Sequence, residues 1–416
     1  NMQYQSLRKG NRNMQYGISI IRRCYLLSVL LMTVWLTGCV QEELGSTPSP
    51  AGNGIRFTLT VPDVNLPSVS SRTMTGTGTA KKEDEIKTVD ILIFDASKTP
   101  AVYLEWVTAT GVTQDLADNS TVSFSAKLPF TTASTCIVVV ANRELDDIVS
   151  GFKKGVTTKV EAMEKMLHTQ TGKWLADGST TGGYTRIPMY GEKVINKITP
   201  SMEPITGINM KRMLARIDIH NNSATSNFTV EEVYLANYNT TGYIAPPWNT
   251  NGQVTEPAPD TPVLPANSGK MTEEGDAILY SVKGNTPYDG EIYTFESLAA
   301  EDAGGVGQDG EASRKDATCL IVKGRIGTGE STFYRVDFTK TGNIGEQVEY
   351  LPLKRNHKYI ITITQALGTG YASLREALAS YTVMSNLKFR LIHYDRDKVK
   401  DVVYNGQYML GVGESE

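Results

Sequence analysis

Apolar residues fall at every second position from Ile55 to Val61, with Arg56, Thr58 and Thr60 between them. A period of two is the mark of a strand that buries one face. Ile55, Phe57, Leu59 and Val61 are therefore expected to line a core. Pro, Ser and Thr then take over around a lone arginine, Arg72. From Thr88 onward strand patterns recur at short intervals. Thr88–Ala96 reads as a buried strand, and Thr121–Leu128 alternates Val122, Phe124, Ala126 and Leu128 against polar partners. Cys136–Asn142 is continuously apolar, which predicts a strand covered on both faces. Val160–Leu167 places Val160, Met163 and Leu167 on one side of a short helix, and Ser373–Ser380 predicts a second helix.

A further run of strands begins at Arg212–His220, where Met213, Ala215, Ile217 and Ile219 are expected on one face and Arg212, Arg216 and Asp218 on the other. Later patterns place Tyr334, Val336 and Phe338 on a common face, and likewise Tyr359, Ile361 and Ile363. The Pro-containing, weakly periodic stretch before Gly207 marks a boundary near residue 205. Many short strands with irregular loops and few helices predict a mainly β fold of two β-sandwiches in tandem. A length of 416 residues accommodates two such domains. Near the end, Asn405–Gly406 is a strong hairpin signal, so Gln407–Val412 is expected to pair with Asp401–Tyr404.

The first 38 residues differ from the rest. They hold Arg8, Lys9, Arg12, Arg22 and Arg23 and no acidic residue, which leaves 36 basic against 45 acidic residues in the body. That acidic balance argues against nucleic acid as a partner, since phosphate binding needs a concentrated basic face. The apolar run Cys24–Leu36 is too short to span a bilayer and has the length of a signal-peptide core. It ends in Leu36-Thr37-Gly38-Cys39, which resembles a bacterial lipoprotein lipobox. Cys39 is thus expected to carry lipid, palmitate among its acyl groups, and to become the first residue after processing. The repeated Asn-Met-Gln-Tyr at 1–4 and 13–16 points to Met14 as the start of translation. Of the remaining cysteines, Cys136 and Cys319 either pair or lie as two buried thiols in separate cores.

No catalytic chemistry emerges from the pattern. His168, His220, His357 and His393 have no second ligand at zinc spacing, and neither a nucleophile elbow nor a phosphate loop occurs. His357 reads as an exposed turn residue. Asp395, Asp397 and Asp401 are close in sequence but lack the glycine turn and oxygen count of a calcium loop. The expectation is a protein that is not an enzyme and carries no cofactor or metal.

Several segments together resemble the fimbrillins, pilin-type lipoproteins of Bacteroidales. They are Glu83–Ala96, Ile137–Asn142, Ile187–Glu192, Arg212–Ile219, Ile292–Glu296, Leu353–Ile363 and Gly370–Leu378, in that order. The resemblance implies two transthyretin-like β-sandwich domains and export as a lipoprotein. It further implies polymerisation by donor-strand exchange after an arginine-specific protease removes the leader. On that basis residues 1–38 are expected to be a signal peptide and 39–72 a leader holding the removable strand. Residues 73–205 and 206–416 would be the two domains, the second with a terminal strand or hairpin. Processing would fall between Arg72 and Thr73, which lie in a Pro/Ser/Thr linker between a complete strand and the body; the alternative is a lone arginine in an exposed loop. Tyr408, Leu410 and Val412 would form the strand donated to a neighbour.

The implied partners are other pilin subunits, the outer membrane through Cys39, the protease, and a host protein or glycan receptor. The implied location is the outer membrane, cell surface and fimbrium. Two other readings remain open here: an anchor or accessory subunit that keeps its lipid, and a surface lipoprotein that binds glycan.

Overall fold

The computed structural model describes residues 54–62, 82–114, 121–174, 186–221, 226–245, 247, 261–282, 288–300, 316–339, 350–380, 386–396, 402–404 and 409–411. All fall within one compact unit, Asn53–Glu416. The fold is mainly β, as the alternation predicts.

The first sandwich is built from β1 (Ile55–Thr60), β2 (Val89–Asp95), β3 (Val102–Thr108), β4 (Thr110–Gln114), β5 (Thr121–Ala126), β6 (Thr135–Ala141), β8 (Met189–Ile195), β9 (Ile205–Asn209) and β10 (Lys211–Arg212). One sheet has the order β4-β5-β1-β9 and the other β10-β8-β6-β2-β3. Phe57, Leu59, Val122, Phe124, Ile205 and Ile208 of the first sheet meet Ile91, Ile93, Ile137 and Val139 of the second. The opposite face of the second sheet carries Leu92, Phe94, Cys136, Val138 and Val140. These pack on Ala162, Met163, Tyr293 and Phe295. Every residue of β6 is buried, so its unbroken apolar run reflects a strand covered from both sides.

The helix Lys159–Lys165 starts where Thr158 and Glu161 form a reciprocal cap. It ends earlier than the pattern suggests, because Leu167 turns out into β7 (Leu167–Thr169). That short strand pairs with β13 (Thr241–Tyr243). The second predicted helix is present as Leu374–Leu378, capped by Ser373.

The second sandwich contains β11 (Ala215–Asn221), β12 (Phe228–Ala236), β14 (Ile278–Ser281), β15 (Tyr288–Thr294), β16 (Cys319–Ile326), β17 (Thr332–Val336), β18 (His357–Ala366), β19 (Leu387–Asp395), β20 (Val402–Tyr404) and β21 (Met409–Gly411). Its sheets have the orders β15-β11-β18-β19-β20-β21 and β14-β12-β16-β17. Ile217, Val233, Val322, Tyr334, Val336, Tyr359 and Ile361 lie in the core between them.

The predicted strand Arg212–His220 is two strands. Met213 and Leu214 form a bend between β10 in the first sandwich and β11 in the second. Met213 consequently packs with Leu92 and Tyr293 and not with Ala215, Ile217 and Ile219. The bend is held by Asn356, whose backbone N–H donates to Leu214 O at 2.9 Å. β9 pairs with β1, and β10 with β8. His357 is also not the exposed turn residue expected. It opens β18 half-buried, with Nδ1 at 2.9 Å from the Arg355 carbonyl.

Candidate functional site

β1 occupies an inner position in its sheet. It runs antiparallel to β5, with Ile55 opposite Ala126, Phe57 opposite Phe124 and Leu59 opposite Val122. On its other side it runs parallel to β9, with Phe57 beside Ile205 and Leu59 beside Ile208. The β9 side has one extra residue between those pairs, and Gly207 absorbs it with φ 71°. The alternation read from the sequence is realised side chain by side chain. Ile55, Phe57, Leu59 and Val61 are 8%, 1%, 0% and 1% exposed, while Arg56 points to solvent. Phe57 and Phe124 stack with centroids 4.9 Å apart and planes 9° from parallel. At about 1.5–3 kcal/mol for each fully buried large apolar side chain, these four contribute several kcal/mol to holding β1.

The exit of β1 is polar. Met210 N–H donates to Thr60 O at 2.8 Å. Two residues on, Arg212 Nη1 donates to Pro62 O at 3.0 Å. The same nitrogen donates to Asn356 Oδ1 at 2.9 Å, and Nε donates to Asp84 Oδ1 at 2.9 Å. Arg212 is 1% exposed. It therefore ties together the two ends of residues 63–81, with Pro62 before them and Asp84 after them.

Glu83, next to Asp84, joins the same buried charge cluster. Its carboxylate accepts from Arg216 Nη1 at 2.6 Å, Arg396 Nη2 at 3.1 Å and the Tyr293 hydroxyl at 2.9 Å. Arg216 also pairs with Asp218 at 2.8 Å, and Lys358 reaches Asp218 at 3.0 Å. Burial pushes the Glu83 carboxyl up, but Arg396, Arg216 and Arg212 together outweigh it, with help from the Tyr293 hydroxyl. The group is held well below the ordinary carboxylate range. Arg216, Tyr293 and Arg396 belong to the second sandwich or its margin, so this cluster fixes residues 82–84 at the junction of the two sandwiches.

Only part of the predicted set is brought together. Ile55, Phe57, Leu59 and Val61 share one face in one slot. Cys39, Arg72, Thr73, Tyr408 and Val412 lie outside the described residues. Leu410 lies in β21, where it is paired with Val403 of β20. That hairpin forms the edge of the six-stranded sheet, joined through three residue pairs to β19. Cys136 and Cys319 are buried in different clusters and form no disulfide. Among the described residues, no group of three or more His, Cys, Asp or Glu is placed to hold a metal ion. Sequence reasoning missed the Glu83–Asp84–Arg212–Arg216–Arg396 cluster. Its members are separated by up to 313 positions, and no local pattern connects them.

Residues 55–203 match the sequence pattern of the family described as "Major fimbrial subunit protein (FimA)". The fimbrillin resemblance is thereby borne out for that part of the chain. Comparison with curated proteins returns no match. Among solved structures, the chain is similar to the tip fimbrial protein Mfa3 of Porphyromonas gingivalis in a C-terminally truncated form. That similarity has 14% identity and a TM-score of 0.44, over 82% of this chain and 99% of the other. A fimbrial assembly protein of Parabacteroides distasonis is similar at 10% identity and a TM-score of 0.38, over 84% of this chain and 98% of the other.

Proposed function

We propose that this chain, which carries the major fimbrial subunit pattern over residues 55–203, is an exported lipoprotein subunit of a surface fimbria whose first strand is a removable plug. The observation that supports this reading is the position of β1. It is an inner strand with four buried side chains, and it connects to the rest of the subunit through residues 63–81 alone. A cut at Arg72 would leave it held by non-covalent contacts only. Its loss would expose an apolar slot and the unpaired backbone edges of β5 and β9, a combination that an extended strand from another subunit satisfies.

The C-terminal hairpin has the opposite character. β21 pairs with β20 through three residue pairs and occupies a sheet edge, whereas β1 has six pairs with β5 and three with β9. Opening the hairpin breaks far fewer contacts than withdrawing β1. The stretch that holds Tyr408, Leu410 and Val412 would then be released to act as the donated strand, with β21 paired to β20 before assembly.

A second reading uses the same observation. A chain that stays uncut keeps a complete first sandwich and its lipid on Cys39, and would serve as an anchor at the outer membrane. Mass spectrometry of the N-terminus of the protein recovered from assembled fibres separates the two. A start at Thr73 supports the polymerising subunit. A start at acylated Cys39 throughout the fibre refutes it in favour of the anchor.

A further inference from the structure

The slot of β1 ends in a buried cation and not in solvent. Arg212 is oriented independently of the strand. Asp84 and Asn356 hold its guanidinium, and its backbone N–H donates to Asn356 Oδ1 at 3.3 Å. The remaining hydrogen on Nη1 is directed at Pro62 O, 3.0 Å away. Proline has no N–H, so at this position the strand supplies an acceptor and nothing else. With a strand in the slot Arg212 is 1% exposed, so a replacement strand that brings no carbonyl to this point would bury that hydrogen without a partner. A buried charged donor without an acceptor is costly, and a carbonyl that restores the bond is favoured by a charge-assisted interaction.

We infer that Arg212 reads the end of whichever strand fills the slot, by taking the main-chain carbonyl one residue beyond that strand's last inward side chain. This rests on the proposed removal of β1 and specifies what its replacement must bring. The contact is to backbone, so it selects strand length and register and is indifferent to side-chain identity. The apolar pockets alone would tolerate a strand slipped by two residues, since the same face then still points inward. The carbonyl requirement penalises that slip. In this chain Val61 is followed by Pro62, and in the C-terminal stretch Val412 is followed by Gly413. Either segment, aligned on its last inward valine, offers the needed oxygen.

The test uses the full chain cut at Arg72 with both pieces retained. Two synthetic competitors are offered at equilibrium. One is Gly54–Pro62 with a C-terminal amide. The other is Gly54–Val61 closed by pyrrolidine, which keeps the proline ring and removes only the Pro62 carbonyl. Displacement of the resident strand is followed by fluorescence of a label on the competitor, for the natural protein and for Arg212→Lys. The expected result is a competitor affinity weaker by about tenfold or more for the pyrrolidide on the natural protein, with the difference largely lost in Arg212→Lys. Equal affinities on the natural protein overturn the inference whether or not the variant folds, as does an undiminished difference in a folded Arg212→Lys. If neither competitor enters the slot after the cut, the removable-strand reading beneath it falls as well.

Discussion

Phe57→Ala is the sharpest probe of how β1 is held. Phe57 is 1% exposed, lies between β5 and β9, and stacks on Phe124 at 4.9 Å. Truncating a buried phenylalanine costs about 3–5 kcal/mol, of which an aromatic pair of this geometry accounts for about 0.5–1.5 kcal/mol. In the intact chain the variant should show that loss as a lower urea midpoint. In the chain cut at Arg72, the only arginine between Arg56 and Arg143, the same loss falls on a non-covalent complex. At roughly 1.4 kcal/mol per tenfold, retention of the strand should weaken by about two to three and a half orders of magnitude. The assay is limited digestion with an arginine-specific protease, then size exclusion and mass analysis of the fraction that still carries residues 54–72. Arg56→Ala on the exposed side of the same strand is the control, expected within about 0.5 kcal/mol of the natural protein. A Phe57→Ala complex that holds its strand as long as the control does would refute the placement of β1 as a packed, separable element.

Three further outcomes follow from the geometry. Glu83→Gln, which keeps the shape and removes the charge facing Arg216 and Arg396, should cost roughly 3–5 kcal/mol at neutral pH in chemical denaturation. Because the folded-state pKa of Glu83 lies below its ordinary value of 4.5, its contribution is complete above that value and fades as pH falls below it. The variant should therefore lose less stability than the natural protein on acidification, and parallel acid limbs would contradict the buried cluster. Alanine at Tyr408, Leu410 and Val412 together should abolish fibres seen by electron microscopy while leaving the monomer's melting temperature nearly unchanged; persistent fibres would remove the C-terminus as donor. Cys136 and Cys319 should resist thiol reagents until the protein is unfolded, since both are buried and burial pushes the Cys136 thiol up to about 12; fast labelling of either in the native state would contradict their placement.

The alternation of Ile55–Val61 and the apolar run of Cys136–Asn142 were legible because each depends on which faces of one strand are wet, and that is written in neighbouring residues. That Val402–Tyr404 pairs with the segment after it was legible for the same local reason, but Tyr404 lies opposite Met409 and not opposite Gln407, where a two-residue turn at Asn405–Gly406 would have placed it. The break at Met213–Leu214 was not. Met213, Ala215, Ile217 and Ile219 keep a period of two through it, because both sandwiches bury apolar residues and the pattern does not say which core receives each one. The charge cluster was invisible for a different reason. Arg212, Arg216 and Asp218 are polar in a strand pattern, and a polar residue there normally faces water. Burial at the junction of two sandwiches is possible for them because Glu83, Asp84, Asn356 and Arg396 arrive from distant parts of the chain to satisfy them.

By itself, then, the sequence determined that the chain is mainly β, that Ile55–Val61 is a core strand, and which of its side chains face inward. Only the tertiary structure decided that this strand sits inside a sheet between β5 and β9, and that its exit meets Arg212. Alternation is a property of successive residues, whereas the neighbours of a strand and the counter-charges of a buried arginine are chosen by segments that meet only once the sandwiches close.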